Sequence, residues 1–144
     1  SGLFSPNRPD GIIDLNGIVK AEAIERAGAH LDSAGCPTWT INVGGDILVR
    51  TDRASWVTGI ADPSDDQSLI CSVALSGSRR AVATSGSAQR GDHIWRGGEL
   101  GPTHFVQVSV IAGDITDQWA VDVLAIDRAG ALLATPGFRE AMAA

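Results

Sequence analysis

The sequence predicts an α+β fold, a mainly antiparallel sheet with one long helix near each end. Three observations predict it. Apolar residues recur at helical spacing between Ile18 and Ala34, with Ile18, Ala21, Ala27 and Leu31 three, four or six positions apart. From Thr38 to Ile111 the pattern changes to short alternating runs joined by Gly and Asp turns, which favours hairpins in one sheet over crossovers. A second helical pattern begins near Asp114 or Thr116. At 144 residues, 44% of them hydrophobic, the chain can bury one core and is too short for two ordinary domains. Residues 1–11 therefore read as a tail or loop and residues 12–144 as a single domain.

Each element has its own signal. The stretch from Gly11 to Leu15 reads as a short strand, and the first helix ends at Gly35 and Pro37. Strands are expected over Thr38 to Val43, Asp46 to Thr51 and Ser55 to Ala61, the first two joined by a Gly44-Gly45 hairpin turn. A polar turn at Asp62-Pro63-Ser64-Asp65-Asp66 precedes a strand over Leu69 to Leu75. Arg80 to Thr84, His93 to Trp95 and His104 to Ile111 complete the strand set. The last long helix should carry Trp119, Val123 and Leu124 toward the core, with Asp117 in its first turn beside the helix N-terminus. A short Pro136-led helix closes the chain.

A formal charge of −6, with Lys20 the single lysine, excludes the basic face that nucleic acid requires. No apolar run approaches the ~20 residues of a membrane-spanning helix. Cys36 and Cys71 lack zinc spacing and read as isolated core thiols. His30 reads as a solvated helix residue and His104 as the start of a strand. The acidic turn at Asp62, Asp65 and Asp66 lacks the spacing of a calcium loop.

Isoleucine 41 to Asp46 (I-N-V-G-G-D) superficially suggests a dinucleotide loop. That loop must lead from strand into helix, whereas a β-branched run follows here. Other segments have an ordinary role when taken alone: Asp14 as a helix cap, Ala83-Thr84-Ser85-Gly86 as a tight strand end, Asp117 as a dipole partner. Their order along the chain is more specific. D-L-N-G-I-V-K-A, I-N-V-G-G-D-I, A-T-S-G, R-G-D-H-I-W and V-S-V-I-A-G-D-I-T-D together resemble the ApbE flavin transferase family. The corresponding family stretches look like D-L-G-G-I-A-K-G, I-N-L-G-G-D-I, A-T-S-G, H-I-x-D-P and a V-T-V-I-A-P-D…A-D segment. The resemblance runs from about Asp14 to about Leu124.

The resemblance implies an ApbE-like fold and Mg²⁺-dependent transfer of FMN from FAD to a Ser or Thr hydroxyl of a client flavoprotein. It implies flavin-nucleotide contacts from Asp14, Lys20, Ser85, His93 and Trp95, with His93 beside the diphosphate. Metal positions would be the Gly17 carbonyl, Asp117, Ala120 and Val121, with Asp117 and His93 closest to the chemistry. It also suggests an extracytoplasmic or membrane-associated setting, although no targeting signal is visible in this chain. Three departures stand out. Val121 has no oxygen where the family usually carries a metal-binding Thr. Trp95-Arg96-Gly97-Gly98 replaces the family's D-P-R-T-G. Family members are also longer, and their N-terminal portion helps hold the isoalloxazine and adenine, so this chain would supply only the metal and diphosphate half of a site. Competing possibilities are a non-catalytic flavin-binding or structural relative and a hydrolase using Ser85, His93 and Asp117, which lacks the G-x-S-x-G elbow.

Overall fold

The computed structural model describes residues 11, 13, 15–86, 104–116 and 122–143, with the backbone alone at 16, 17 and 66. In chain order the elements are α1 (Asn16–Ser33), β1 (Trp39–Val43), β2 (Asp46–Arg50), β3 (Trp56–Asp62), β4 (Asp65–Leu75), β5 (Ala81–Gly86), β6 (Phe105–Ala112), β7 (Asp122–Asp127), β8 (Leu132–Ala134) and α2 (Pro136–Ala141). Six strands form one sheet in the order β1-β2-β5-β6-β7-β8, and β3 pairs with β4 in a second sheet of two strands. Every pairing between these strands is antiparallel. The fold class is therefore α+β with a mainly antiparallel sheet, as the alternating runs predict.

The β3–β4 hairpin does not join the main sheet, contrary to the expectation of a single sheet. After β2 the chain bends at residues 52–54 and leaves its plane. That frees the edge of β2 for β5, with Ile47 opposite Val82 and Leu48 opposite Ala81. The hairpin then covers one face of the sheet. Ile60, Val73 and Leu75 from the hairpin pack with Ile47, Val49, Val82, Ile111 and Leu124 from the sheet and Phe138 and Ala141 from α2. Gln107 stitches the layers together, its Nε2 donating to the Ala61 carbonyl at 3.1 Å.

Helix α1 covers the opposite face, where Ile24, Trp39, Leu48 and Ala81 form a smaller core. Strand alternation explains how β2 serves both faces: Ile47 and Val49 point one way, Leu48 the other, and all three are buried. Gly28 lets the helix approach, because a Cβ there would lie 2.6 Å from the Trp39 ring. Trp39 Nε1 in turn donates to Asp32 at 2.8 Å, and Arg50 reaches the same carboxylate at 2.7 Å. Trp39 first, and then Arg50 and Arg80, hold the Asp32 carboxyl below its ordinary range against some desolvation.

Several expected elements differ. The long second helix does not extend over 122–127, which is strand β7 instead. Its burial runs almost unbroken because β6 and β8 flank it and both of its faces are covered; so short an apolar run does not separate strand from helix by period. Leu124 still reaches the core. The final helix is the short α2, begun by Pro136 and capped by Thr135, whose hydroxyl accepts from Phe138 N. Strand β8 had no sequence signal of its own. The acidic turn shrinks to Pro63-Ser64 as β4 starts at Asp65, opposite Asp62. Of the segment expected as a strand over Gly11 to Leu15, Ile13 makes a single bridge and Leu15 already caps α1. The expected strand at His93 to Trp95 and the position of Trp119 lie outside the described residues. Cys36 and Cys71 are free and half-buried, and burial pushes the Cys71 thiol up. Among the described residues no helix is long and apolar enough to cross a membrane.

Candidate functional site

Three of the five motif segments meet at Asp46, and a fourth is joined to them through the opposite face of the sheet. The β1–β2 turn places this residue: Gly44 and Gly45 have φ of 59° and 92°, the left-handed pair that a two-residue hairpin turn requires. Asn42 Oδ1 closes the turn by accepting from Gly45 N at 3.1 Å. Asp46 then starts β2 on the side of the sheet covered by α1, the side of Leu48. There its Oδ2 lies 2.5 Å from Lys20 Nζ, on the second turn of α1. Its Oδ1 accepts from the backbone N–H of Thr84 at 3.2 Å, so one carboxylate joins the D-L-N-G-I-V-K-A, I-N-V-G-G-D-I and A-T-S-G segments.

The fourth segment enters from β6. Thr84 stands opposite Ser109, and their hydroxyls are 3.0 Å apart on the hairpin-covered side, where Ser109 is fully buried. Ser85 alternates to the α1 side, which it shares with Asp46, and it is exposed. A Cβ on Gly45 would sit 3.7 Å from the Thr84 Cβ, an ordinary contact, so its left-handed φ rather than lack of space selects glycine there.

The Lys20 and Asp46 side chains are 24% and 13% exposed, so the pair is partly shielded and water still reaches it. An ammonium has three donors, and one contact to Asp46 leaves others for an anion. Gly17 is the second residue of α1. Its carbonyl therefore points along the helix toward position 21, leaving a second lone pair for any metal. Asp14, His93, Trp95, Asp117, Ala120 and Val121 lie outside the described residues. No group of three or more His, Cys, Asp or Glu side chains able to hold a metal occurs among the described residues. The Ser85, His93 and Asp117 hydrolase arrangement likewise has only Ser85 described. His30 is exposed, and exposed His104 lies 3.8 Å from the Asp127 carboxylate.

Sequence reasoning passed over Asp46 as an individual residue, although its motif was noted. The detectable signal was an acid directly after a Gly-Gly turn at the start of a buried strand. It also passed over Asp122, which is buried and receives Arg79 Nη2 at 3.1 Å and the Thr135 hydroxyl at 3.0 Å. Asp122 immediately follows the segment containing Asp117 to Val121. Nothing in its neighbourhood along the sequence marks Arg79 or Thr135 as its partners.

A family model described as the ApbE family matches residues 4–135. Among solved structures, the chain is similar to an ApbE protein from Thermotoga maritima, with 25% identity and a TM-score of 0.73, covering 92% of this chain and 54% of that one. It shares its fold with a point variant of the flavin transferase ApbE from Vibrio cholerae, at 19% identity and a TM-score of 0.62, over 92% of this chain and 53% of that one. The chain thus spans about half the length of these two structures. No curated protein matches it.

Proposed function

The chain belongs to the ApbE family, and we propose that it supplies the metal- and diphosphate-binding half of a flavin transferase that moves FMN from FAD to a Ser or Thr hydroxyl of a client flavoprotein. The observation carrying this reading is the meeting of three family-like segments at Lys20, Asp46 and Thr84, with a fourth tied to Thr84 through Ser109 on the other face of the sheet. The name of the Vibrio cholerae neighbour supports the reaction class.

In the proposed reaction the acceptor hydroxyl oxygen bonds to the FMN phosphorus of FAD. The phosphoanhydride bond to AMP breaks, AMP leaves with the bridging oxygen, and the hydroxyl proton passes to a base. Such a displacement depends on holding the diphosphate in line and spreading its charge. Lys20 binds the diphosphate through the ammonium donors that Asp46 does not occupy. Asp46 fixes the direction of Lys20 and, through Thr84 N, the strand that presents Ser85. His93 and Trp95 follow Ser85 in the chain and contact the nucleotide.

The donor set suits Mg²⁺: one carboxylate at Asp117 and carbonyl oxygens at Gly17 and Ala120 are hard ligands. Few protein ligands suffice because this ion keeps waters and takes substrate phosphate oxygens. When bound, Mg²⁺ would neutralise charge on the diphosphate and on the departing AMP. Val121 contributes no side-chain oxygen, and its position would be served by its backbone.

The test incubates FAD, Mg²⁺ and a client domain bearing an acceptor Thr with this chain, and separately with the chain joined to the remainder that its longer relatives carry. A covalent FMN mass increment on the client and release of AMP by the joined form alone are expected. No transfer by the joined form, together with flavin binding indifferent to Asp117→Ala, would favour the non-catalytic relative. Val121 is the residue that raises that second reading.

A further inference from the structure

We infer that an arginine-lined cleft at the far end of the main sheet binds a compact phosphate-type oxyanion, with inorganic pyrophosphate as the simplest occupant. The cleft is a solvent-open depression of about 350 Å³ between the end of β2 and the loops that follow β2 and β4, and Arg50, Arg53, Arg79 and Arg80 line it. The whole chain has only 11 Lys and Arg against 17 Asp and Glu. Four of those cations share this cleft, and among the described residues no carboxylate lines it. It is separated from Asp46 by the length of β2, roughly 13 Å at the usual rise of a strand.

Two of the four arginines are held by carboxylates that do not line the cleft. Asp32 holds Arg50 at 2.7 Å and Asp122 holds Arg79 at 3.1 Å. Arg80 Nε donates to the Val49 carbonyl at 3.2 Å, and its terminal nitrogens make no hydrogen bond among the described residues. The Arg53 guanidinium makes none either; it acts on the neighbouring Asp52 carboxylate through charge alone, while that carboxylate accepts from the Thr38 hydroxyl at 2.6 Å. The backbone beneath is also fixed. Arg53 N donates to Thr51 Oγ1 at 3.0 Å, Arg79 N to the Ser76 carbonyl at 3.0 Å and Arg80 N to the Ala112 carbonyl at 3.0 Å. Planar forks presented from an ordered backbone match phosphate oxygens two at a time and lose little freedom on binding.

Size and lining select the ligand. The volume lies at the low end of small-molecule sites, and the apolar lining residues Val49 and Leu75 are buried core residues. Among the described residues no aromatic side chain lines the cleft to stack a base or a flavin ring. A compact multivalent anion fits those walls better than a nucleotide does.

The experiment titrates the isotopically labelled chain with inorganic pyrophosphate at low ionic strength without divalent metal, following backbone amide shifts. Saturable shifts at Thr51, Arg53, Gly77 and Arg80 are expected, with weaker binding of inorganic phosphate. Arg53→Glu, on an exposed loop, should weaken pyrophosphate by about tenfold or more with Tm unchanged, while Arg53→Lys retains most of the affinity. Shifts confined to Lys20, Gly45 and Thr84 would place the anion at the proposed flavin site and overturn the inference. So would binding indifferent to Arg53→Glu, an absence of saturable shifts, or a Glu-rich peptide that shifts the cleft amides where pyrophosphate does not. Because FAD binding is read at Lys20 and pyrophosphate at Arg53, failure here is distinguishable from failure of the flavin transferase reading.

Discussion

Lys20 Nζ and Asp46 Oδ2 lie 2.5 Å apart, joining the second turn of α1 to the residue that follows the Gly44-Gly45 turn. Asp46 also accepts from Thr84 N, so removing its carboxylate leaves a half-buried cation and a strand N–H without partners. Asp46→Ala should cost about 2 kcal/mol. Asp46→Asn, whose amide oxygen can still accept from Thr84, should cost about half as much. Urea unfolding at constant m-value measures both.

A second buried carboxylate tests the opposite end of the sheet. Asp122 is held by Arg79 and Thr135, and a Cβ on Gly137 would collide with its carboxylate. Arg79→Ala, which leaves that charge buried and short of a cation, should destabilise by about 2–3 kcal/mol. Gly137→Ala should displace the carboxylate and destabilise by about 1–3 kcal/mol. The combination of Gly137→Ala with Asp122→Ala should fall short of the sum of the two, because both act on one contact. A double-mutant cycle in urea reads that coupling.

Acid should destabilise the protein through three depressed carboxyls. Asp32 is held down first by Trp39, Asp52 by the Thr38 hydroxyl and Asp62 by Ser64. Their folded values lie below the ordinary aspartate value of about 3.9 that the unfolded chain shows. Their contribution is therefore complete above that value and is lost as pH falls through the lower folded values. Stability measured from pH 5 down to pH 2 should fall, and Asp32→Asn should flatten part of that fall.

Gly28 faces the Trp39 ring where α1 meets β1. A methyl there should cost about 1–3 kcal/mol through overpacking, even though Ala is the better helix former. Thermal unfolding of Gly28→Ala should show a lowered Tm. Gly28→Ala with Trp39→Phe, which shortens the ring at that point but gives up its hydrogen bond to Asp32, should cost less than the sum of the two single substitutions.

Local pattern carried much of the fold. Alternation around Ile41, Val73 and Val108 marked strands, and Gly44-Gly45 marked their hairpin, because those signals come from side-chain period and turn geometry. The segment after Asp122 misled because Val123, Leu124 and Ile126 lie in an apolar run covered on both sides, which displays neither the helix nor the strand period. Nor could alternation reveal that β2 prefers β5 to β3, since partner choice depends on which face the hairpin buries. At the site, Lys20 was recognisable from its motif. Its tie to Asp46 was not, because 26 residues separate them and only the folded turn brings them together. Arg79 and Asp122, 43 positions apart, are hidden for the same reason.

The most direct test of the central claim is titration of this chain with FAD in the presence and absence of Mg²⁺, repeated with Lys20→Ala and Asp117→Ala. A chain supplying the metal and diphosphate half of a flavin transferase should bind FAD weakly, and more tightly with Mg²⁺. Asp117→Ala should abolish the Mg²⁺ effect, while Lys20→Ala should weaken binding about tenfold with or without the metal, as expected for loss of a charge-assisted phosphate contact. Binding that is identical with and without Mg²⁺ and unchanged by either substitution would contradict the account.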